Sequence, residues 1–144
     1  MKVKDCMCDS VVYITPEVSV YDCANIMKNK HVGCIPVCDE NKKVVGVITD
    51  RDIILRCTCF NKDCNTIPIS EIMTTNVCCC TSDKDLKEAE KMMCDNKVRR
   101  LPIIEDNKIV GILTLGDLAL HPNIEAENVG KTLENISTTK KNAE

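Results

Sequence analysis

The chain has 144 residues, of which 44% are hydrophobic and 28% charged, and its formal net charge is −3. That length holds one ordinary domain or two small units sharing a core, and the composition is that of a soluble globular protein. The slight negative charge argues against broad nucleic-acid or anionic-membrane binding. Tyr13, Tyr21 and Phe60 make no base-stacking platform, and no apolar run reaches the roughly 20 residues of a membrane span. The opening MKVKDCMCDS lacks the apolar stretch of a secretory signal, so a cytoplasmic location is expected. In that setting the 12 cysteines read as small buried hydrophobes with reduced thiols rather than as a disulfide framework.

The predicted elements begin with a short β-prone piece, Val11 to Ile14. Ser19 then caps a helix whose stripe is Val20, Cys23, Ala24 and Met27, with His31 at its end. A strand from Cys34 to Cys38, a turn rich in Asp, Asn and Lys, and a strand from Val44 to Ile48 make a hairpin. A second helix opens at Thr49. Residues 58–70 read as a polar linker containing Pro68. The same order then returns. A β-prone piece runs from Val77 to Cys80. Asp85 caps a helix, with Glu88 placed to close a capping box and Leu86, Ala89 and Met93 as its stripe. Strands from Arg100 to Ile104 and from Ile109 to Leu113 follow, then a helix opening at Thr114 and closing at His121. The tail from Pro122 has one weak amphipathic turn (Ile124, Val129, Leu133, Ile136), and its end, STTKKNAE, reads as disordered.

Placing Met7 over Met73 lays His31-Val32 on Lys97-Val98 and Ile35-Pro36-Val37 on Leu101-Pro102-Ile103. After a one-residue deletion in the turn, Gly46, Thr49 and Asp52 fall on Gly111, Thr114 and Asp117. The chain thus divides into a first repeat (1–57), a linker (58–70), a second repeat (71–121) and a tail (122–144). Two copies are too few for a solenoid. They predict an α/β (α+β) fold, with two β-α-β-β-α units packed about a pseudo-two-fold axis.

Thr-x-x-Asp stands where a strand hands over to a helix, and it supports two compatible readings. Thr is an N-cap, and an acid three residues on closes a capping box. The same turn also suits a nucleotide. A hydroxyl among the N–H groups of a helix start meets phosphate, and an acid one turn in accepts ribose hydroxyls. Apolar residues of neighbouring strands, Val11, Ile35 and Pro36 in one repeat and Val77 and Pro102 in the other, then sandwich a purine.

The two units resemble a tandem pair of CBS domains, named after cystathionine β-synthase, also called a Bateman module. The matching residues are Met7 with Val12 and Pro16, then Ile35-Pro36-Val37 with Gly46-Val47-Ile48-Thr49-Asp50-Arg51-Asp52. In the second repeat they are Met73 with Val77, then Leu101-Pro102-Ile103 with Gly111-Ile112-Leu113-Thr114-Leu115-Gly116-Asp117. The resemblance implies a non-catalytic regulatory module that binds adenosine-containing ligands of the AMP, ADP or ATP class between its repeats. It implies Asp52 and Asp117 as ribose acceptors and Thr49 and Thr114 as phosphate donors. It also implies a homodimer of pairs acting on an effector protein that the sequence does not identify. No cofactor is required, and neither nucleic acid nor membrane is an expected partner. The second repeat has Arg99 and Arg100 just before its x-Pro-x strand, where the first has Gly33 and Cys34, while Arg51 of the first repeat answers to Gly116 of the second. Arginine suits bidentate phosphate contact, so the second repeat is expected to be the better site. The plainer reading of Arg99 and Arg100 is a strand edge kept soluble by charge.

Rival readings rest on the cysteines. Cys6-x-Cys8, Cys57-x-Cys59 with Cys64, and Cys78-Cys79-Cys80 lack the spacing of zinc pairs, and no metal site is expected. A redox or metal sensor is the second reading, with Cys57, Cys59 and Cys64 as its most exposed thiols. A structural dimerisation module with empty pockets is the third. No nucleophile–base or carboxylate pair stands out, so no enzyme is expected.

Overall fold

The computed structural model describes residues 1–121, 124 and 126–143, with side chains through Ser137. Helix α1 (Val20–Lys30) starts because the Ser19 hydroxyl accepts the Asp22 N–H at 3.0 Å, and it stops where His31 turns left-handed with φ 56°. It buries Val20, Cys23 and Met27, whereas Ala24, expected on the stripe, is exposed and Ile26 packs instead. Strands β1 (Cys34–Cys38) and β2 (Val44–Thr49) pair antiparallel, with Ile35 opposite Ile48 and a bulge after Val37. Helix α2 (Asp50–Arg56) follows at once. The β-prone piece before α1 shrinks to one parallel bridge, Ile14 to Val37. The next residue able to continue that ladder is Pro16, which has no N–H to give.

The second copy keeps the order. Strand β3 (Cys80–Thr81) runs parallel to β4 (Arg100–Glu105), and β4 pairs antiparallel with β5 (Lys108–Thr114), again with a bulge, after Ile103. Between β3 and β4, α3 (Leu86–Asn96) buries Leu86, Ala89 and Met93 and ends at left-handed Lys97. The predicted capping box with Glu88 does not form. Asp85 accepts the Lys87 N–H at 2.9 Å, and the Glu88 carboxylate lies 3.6 Å from the Lys84 ammonium. Helix α4 (Leu115–Leu120) ends at His121.

The amphipathic turn read in the tail is, from Val129 on, part of a longer helix. Helix α5 (Ala126–Ala143) follows, with Ile136 fully buried, Thr132 nearly so, and Ile124 and Val129 packed on the same core as α3 and α4. Backbone helix continues through the STTKKNA stretch. Pro122, Asn123, Glu125 and Glu144, which the sequence assigned to the tail, lie outside the described residues. No helix among the described residues is long and apolar enough to cross a membrane.

The chain condenses into two compact units whose membership crosses the repeats: Val12–Val77 is one, and Met1–Val11 joins everything from Cys78 onward in the other. In the Val12–Val77 unit the core gathers Ile14, Val20, Cys23, Ile35, Val37, Ile48, Ile69 and Ile72. Residues 58–70 are therefore more than a spacer. Ile69 is fully buried, Ile67 packs beside it, and their stretch is laced to the start of α1 by Val20 N–H to Ile67 O at 3.1 Å and Tyr21 N–H to Cys64 O at 2.9 Å. In the other unit Val3 enters the core with Leu86, Met93, Leu101, Ile103, Leu113 and Leu118.

A shared device seats the crossing segments. Cys8 and Ile112 exchange N–H to O bonds of 2.9 Å each, and so do Thr74 and Val47. Each bridge lies beside a strand glycine. A β-carbon on Gly111 would stand 2.9 Å from the Met7 sulfur, and one on Gly46 would stand 2.8 Å from the Met73 sulfur. The repeated Met and Gly thus meet, but each Met meets the glycine of the opposite sequence repeat.

Candidate functional site

Both Thr-x-x-Asp turns close as full capping boxes. Thr49 N–H donates to Asp52 Oδ2 at 3.0 Å, and Asp52 N–H donates to Thr49 Oγ1 at 3.1 Å. In the second copy the corresponding distances are 2.9 Å for Thr114 N–H to Asp117 Oδ2 and 3.0 Å for Asp117 N–H to Thr114 Oγ1. All four residues are half-buried. The backbone torsions of the two caps agree within a few degrees, with φ −116° and ψ 161° at Thr49 and φ −115° and ψ 158° at Thr114. This geometry leaves chemistry unused. Each threonine oxygen accepts one bond and still has its own O–H to give, and each box takes its backbone N–H on Oδ2 of the carboxylate.

The surroundings of the two turns differ. Asp52 Oδ1 lies 3.9 Å from Arg56 Nε, one helical turn on. The first repeat's Gly33 carbonyl accepts Asp50 N–H at 3.0 Å, and the second repeat's Arg99 carbonyl accepts Leu115 N–H at 2.9 Å. The backbones just before β1 and β4 are thereby tied to the starts of α2 and α4. Arg100 stands opposite Thr114 in the β4–β5 register, where the first repeat has Cys34 opposite Thr49. Arg51, Arg99 and Arg100 are exposed. Pro36 and Pro102 are buried, and Ile35 is wholly enclosed in its core. Val11 and Val77 are half-buried, but they trade places: Val11 belongs to the unit of Thr114 and Asp117, and Val77 to the unit of Thr49 and Asp52.

Two residues that the motif reading passed over touch the aspartate helices. One is Arg56. The other is Cys6, whose thiol donates to the Asp117 carbonyl oxygen at 3.7 Å. Burial raises the Cys6 pKa, and the Asp117 and Glu90 carboxylates push it the same way. A signal for Arg56 was present, since it stands four residues after Asp52 on a helix. Nothing local marks Cys6, because its partner lies more than a hundred residues away. A cavity of about 390 Å³ opens elsewhere, at the start of α3, walled by Met1, Leu86, Glu90, Ile124 and Asn128 among others, and it contains neither turn.

The thiols differ in burial, and Cys8 and Cys59 are exposed. Cys23, Cys38, Cys57 and Cys80 are buried. The expectation that Cys57 and Cys64 are exposed fails: Cys57 closes α2 inside the core with Cys64 packed beside it, and only Cys59 of the three is exposed. Burial raises the Cys57, Cys78, Cys79 and Cys80 thiols and pushes Cys23 up to about 11, which disfavours the reactive thiolate. Among the described residues, no group of three or more His, Cys, Asp or Glu side chains is arranged to hold a metal ion.

Comparison with known proteins places this geometry. The CBS domain family model matches residues 3–57 and 69–122, and each match holds one Thr-x-x-Asp turn. The CBS domain-containing protein YhcV of Bacillus subtilis is 39% identical over 135 residues, which is 94% of each chain. Among solved structures, the CBS domain pair of protein MJ0100, in complex with 5-methylthioadenosine and S-adenosyl-L-methionine, is similar with a TM-score of 0.73. It is 28% identical and covers 83% of this chain and 97% of its own. Hypoxic Response Protein I, solved with two coordinated zinc ions, is similar with a TM-score of 0.77. It is 26% identical and covers 84% of this chain and 98% of its own. With the same turn folded the same way in two matched stretches, and a relative aligned over nearly its full length, the chain belongs to the CBS-domain family as a tandem pair.

Proposed function

We propose that this chain is a non-catalytic regulatory module that binds an adenosyl ligand at its Thr-x-x-Asp turns and acts through an effector protein. The observation that carries this reading is the pair of near-identical capping boxes. In each, Asp Oδ2 holds the backbone, so Oδ1 is the atom offered to a ribose hydroxyl, and the Thr hydroxyl retains a proton for phosphate. The solved relative with methylthioadenosine and S-adenosylmethionine supports the adenosyl class. Arg100 opposite Thr114 favours AMP, ADP or ATP at the second repeat, because a guanidinium suits a phosphate. The matched pair of exposed leucines, Leu55 on α2 and Leu120 on α4, supports assembly as a homodimer. Burial raises the Cys23 and Cys80 thiols, which disfavours these two as redox sites.

Isothermal titration of AMP, ATP and S-adenosylmethionine into reduced protein tests the proposal. Saturable binding is expected. Asp117→Asn should weaken it about tenfold or more, since a charged acceptor in such a bond contributes roughly 1.5–3 kcal/mol. Asp52→Asn should weaken it less. Titrations without heat for all three ligands would sink the reading.

A further inference from the structure

Arg56 ends α2, and its guanidinium reaches in two directions. Nε lies 3.9 Å from Asp52 Oδ1, while Nη1 donates to the Ile72 carbonyl at 3.0 Å and the Met73 carbonyl at 3.3 Å. Those carbonyls belong to the segment that Thr74 pins on β2 through its paired bonds with Val47. One planar fork thus spans the carboxylate offered to ribose and the backbone of a docked segment, a geometry for which arginine is suited and lysine is not. In the other unit the repeat lays Cys6 on Ile72, and there the leading segment gives a thiol to the Asp117 carbonyl at 3.7 Å.

Resting on the adenosyl-binding reading, we infer that Arg56 is a positioning residue that couples the Asp52 carboxylate to the docking of Ile72–Thr74 on β2. A ribose hydroxyl donating to Asp52 Oδ1 competes with Arg56 for that oxygen. The guanidinium then rests fully on the two carbonyls, and the segment is held more tightly. By linkage, loosening the segment weakens the ligand at Asp52 by the same factor. The Arg56 side chain is half exposed, so the effect is a matter of several-fold rather than of orders of magnitude.

The test is amide hydrogen exchange at Thr74 and Val47 in wild type, Arg56→Gln, Asp52→Asn and the double variant, first without ligand. Arg56→Gln is expected to speed Thr74 exchange about twofold in the wild-type background but about fivefold in the Asp52→Asn background, where no carboxylate draws the guanidinium away from the two carbonyls. Exchange at Cys38, whose N–H is bonded to the Ile14 carbonyl at 2.8 Å in the same unit, checks that each variant is folded. Equal factors in both backgrounds would overturn the coupling, whatever binds. The second arm adds S-adenosylmethionine and, separately, AMP. Slower Thr74 exchange in wild type, with a smaller change in Arg56→Gln, is expected. Saturable binding at Asp52 that leaves Thr74 unchanged would overturn the link to ligand. Absence of binding to every variant would instead remove the adenosyl reading and the link with it, leaving the coupling to stand or fall on the first arm.

Discussion

A β-carbon on Gly111 would lie 2.7 Å from the Cys8 carbonyl oxygen, and one on Gly46 would lie 2.9 Å from that of Thr74. Both obstacles are backbone, held by paired hydrogen bonds, and neither can rotate away. Gly111→Ala is therefore expected to destabilise the protein by about 1–3 kcal/mol, the usual cost of overpacking. Gly116, on α4, is the control. A β-carbon there meets nothing closer than 3.5 Å, so Gly116→Ala should be neutral or stabilising by up to about 1 kcal/mol. Urea unfolding of the two variants checks the contrast, and equal shifts in midpoint would remove this account of the strand glycines. The capping boxes were legible in the sequence because every partner lies within three residues. The purpose of the glycines was not. The repeat shows that Gly recurs, but not that Met7 and Cys8 arrive from far along the chain to press on Gly111.

The same limit governs the elements. Helices α1 and α3 could be read from period and cap, because burial on one face and a Ser or Asp at the start are local properties. In the tail the sequence read an amphipathic turn at Ile124, Val129, Leu133 and Ile136, and disorder only in the closing STTKKNAE; Val129, Leu133 and Ile136 lie on α5, and its backbone helix runs on to Ala143. The core takes Ile136 completely and packs Ile124 and Val129, while Leu133 remains 39% exposed. The Lys97 ammonium, at the end of α3, adds a bond to the Asn135 carbonyl at 2.9 Å. An 18-residue segment of mixed polarity gains little helix from propensity alone, and the packed face supplies the rest. Ile136→Ala should then cost about 2–4 kcal/mol in chemical denaturation, as for a large buried aliphatic side chain, and Leu133→Ala under about 1 kcal/mol. An Ile136 variant as stable as wild type would show that the helix is not docked in solution. In the Val12–Val77 unit the segment 58–70 has the same chain position relative to its repeat, and it too delivers apolar residues, Ile67 and Ile69, to the core. Both segments look like polar connectors in composition and serve as packing pieces in the fold.

For the whole molecule, the sequence repeat and the structural unit are different objects. Aligned by sequence, Val3 through Val11 introduce the first repeat. In the fold they belong with Cys78 onward, where Val3 is fully buried and Cys8 extends the β5 edge at Ile112. The matching segment ahead of the second repeat, Ile69 to Thr74, completes the first. Neither repeat, cut at its sequence boundary, carries its own full core, and this crossing gives a reason for the chain to hold two copies rather than one. The consequence is a mutation felt far from where sequence alignment would place it. Val3→Ala removes two methyl groups from the core of the Cys78 unit, a loss of about 2 kcal/mol. It should speed exchange at the Ile112 and Leu101 amides by roughly 30-fold if they open with that core. The Val47 and Thr74 amides, in the unit that sequence alignment would assign to Val3, should stay within about twofold of wild type, because Val3 contributes nothing to the Val12–Val77 core. Exchange rising at Val47 while Ile112 holds steady would return Val3 to the first repeat and dissolve the crossing. The expected pattern would instead establish that the leading segment Val3 to Val11 supports the core that carries the second Thr-x-x-Asp turn.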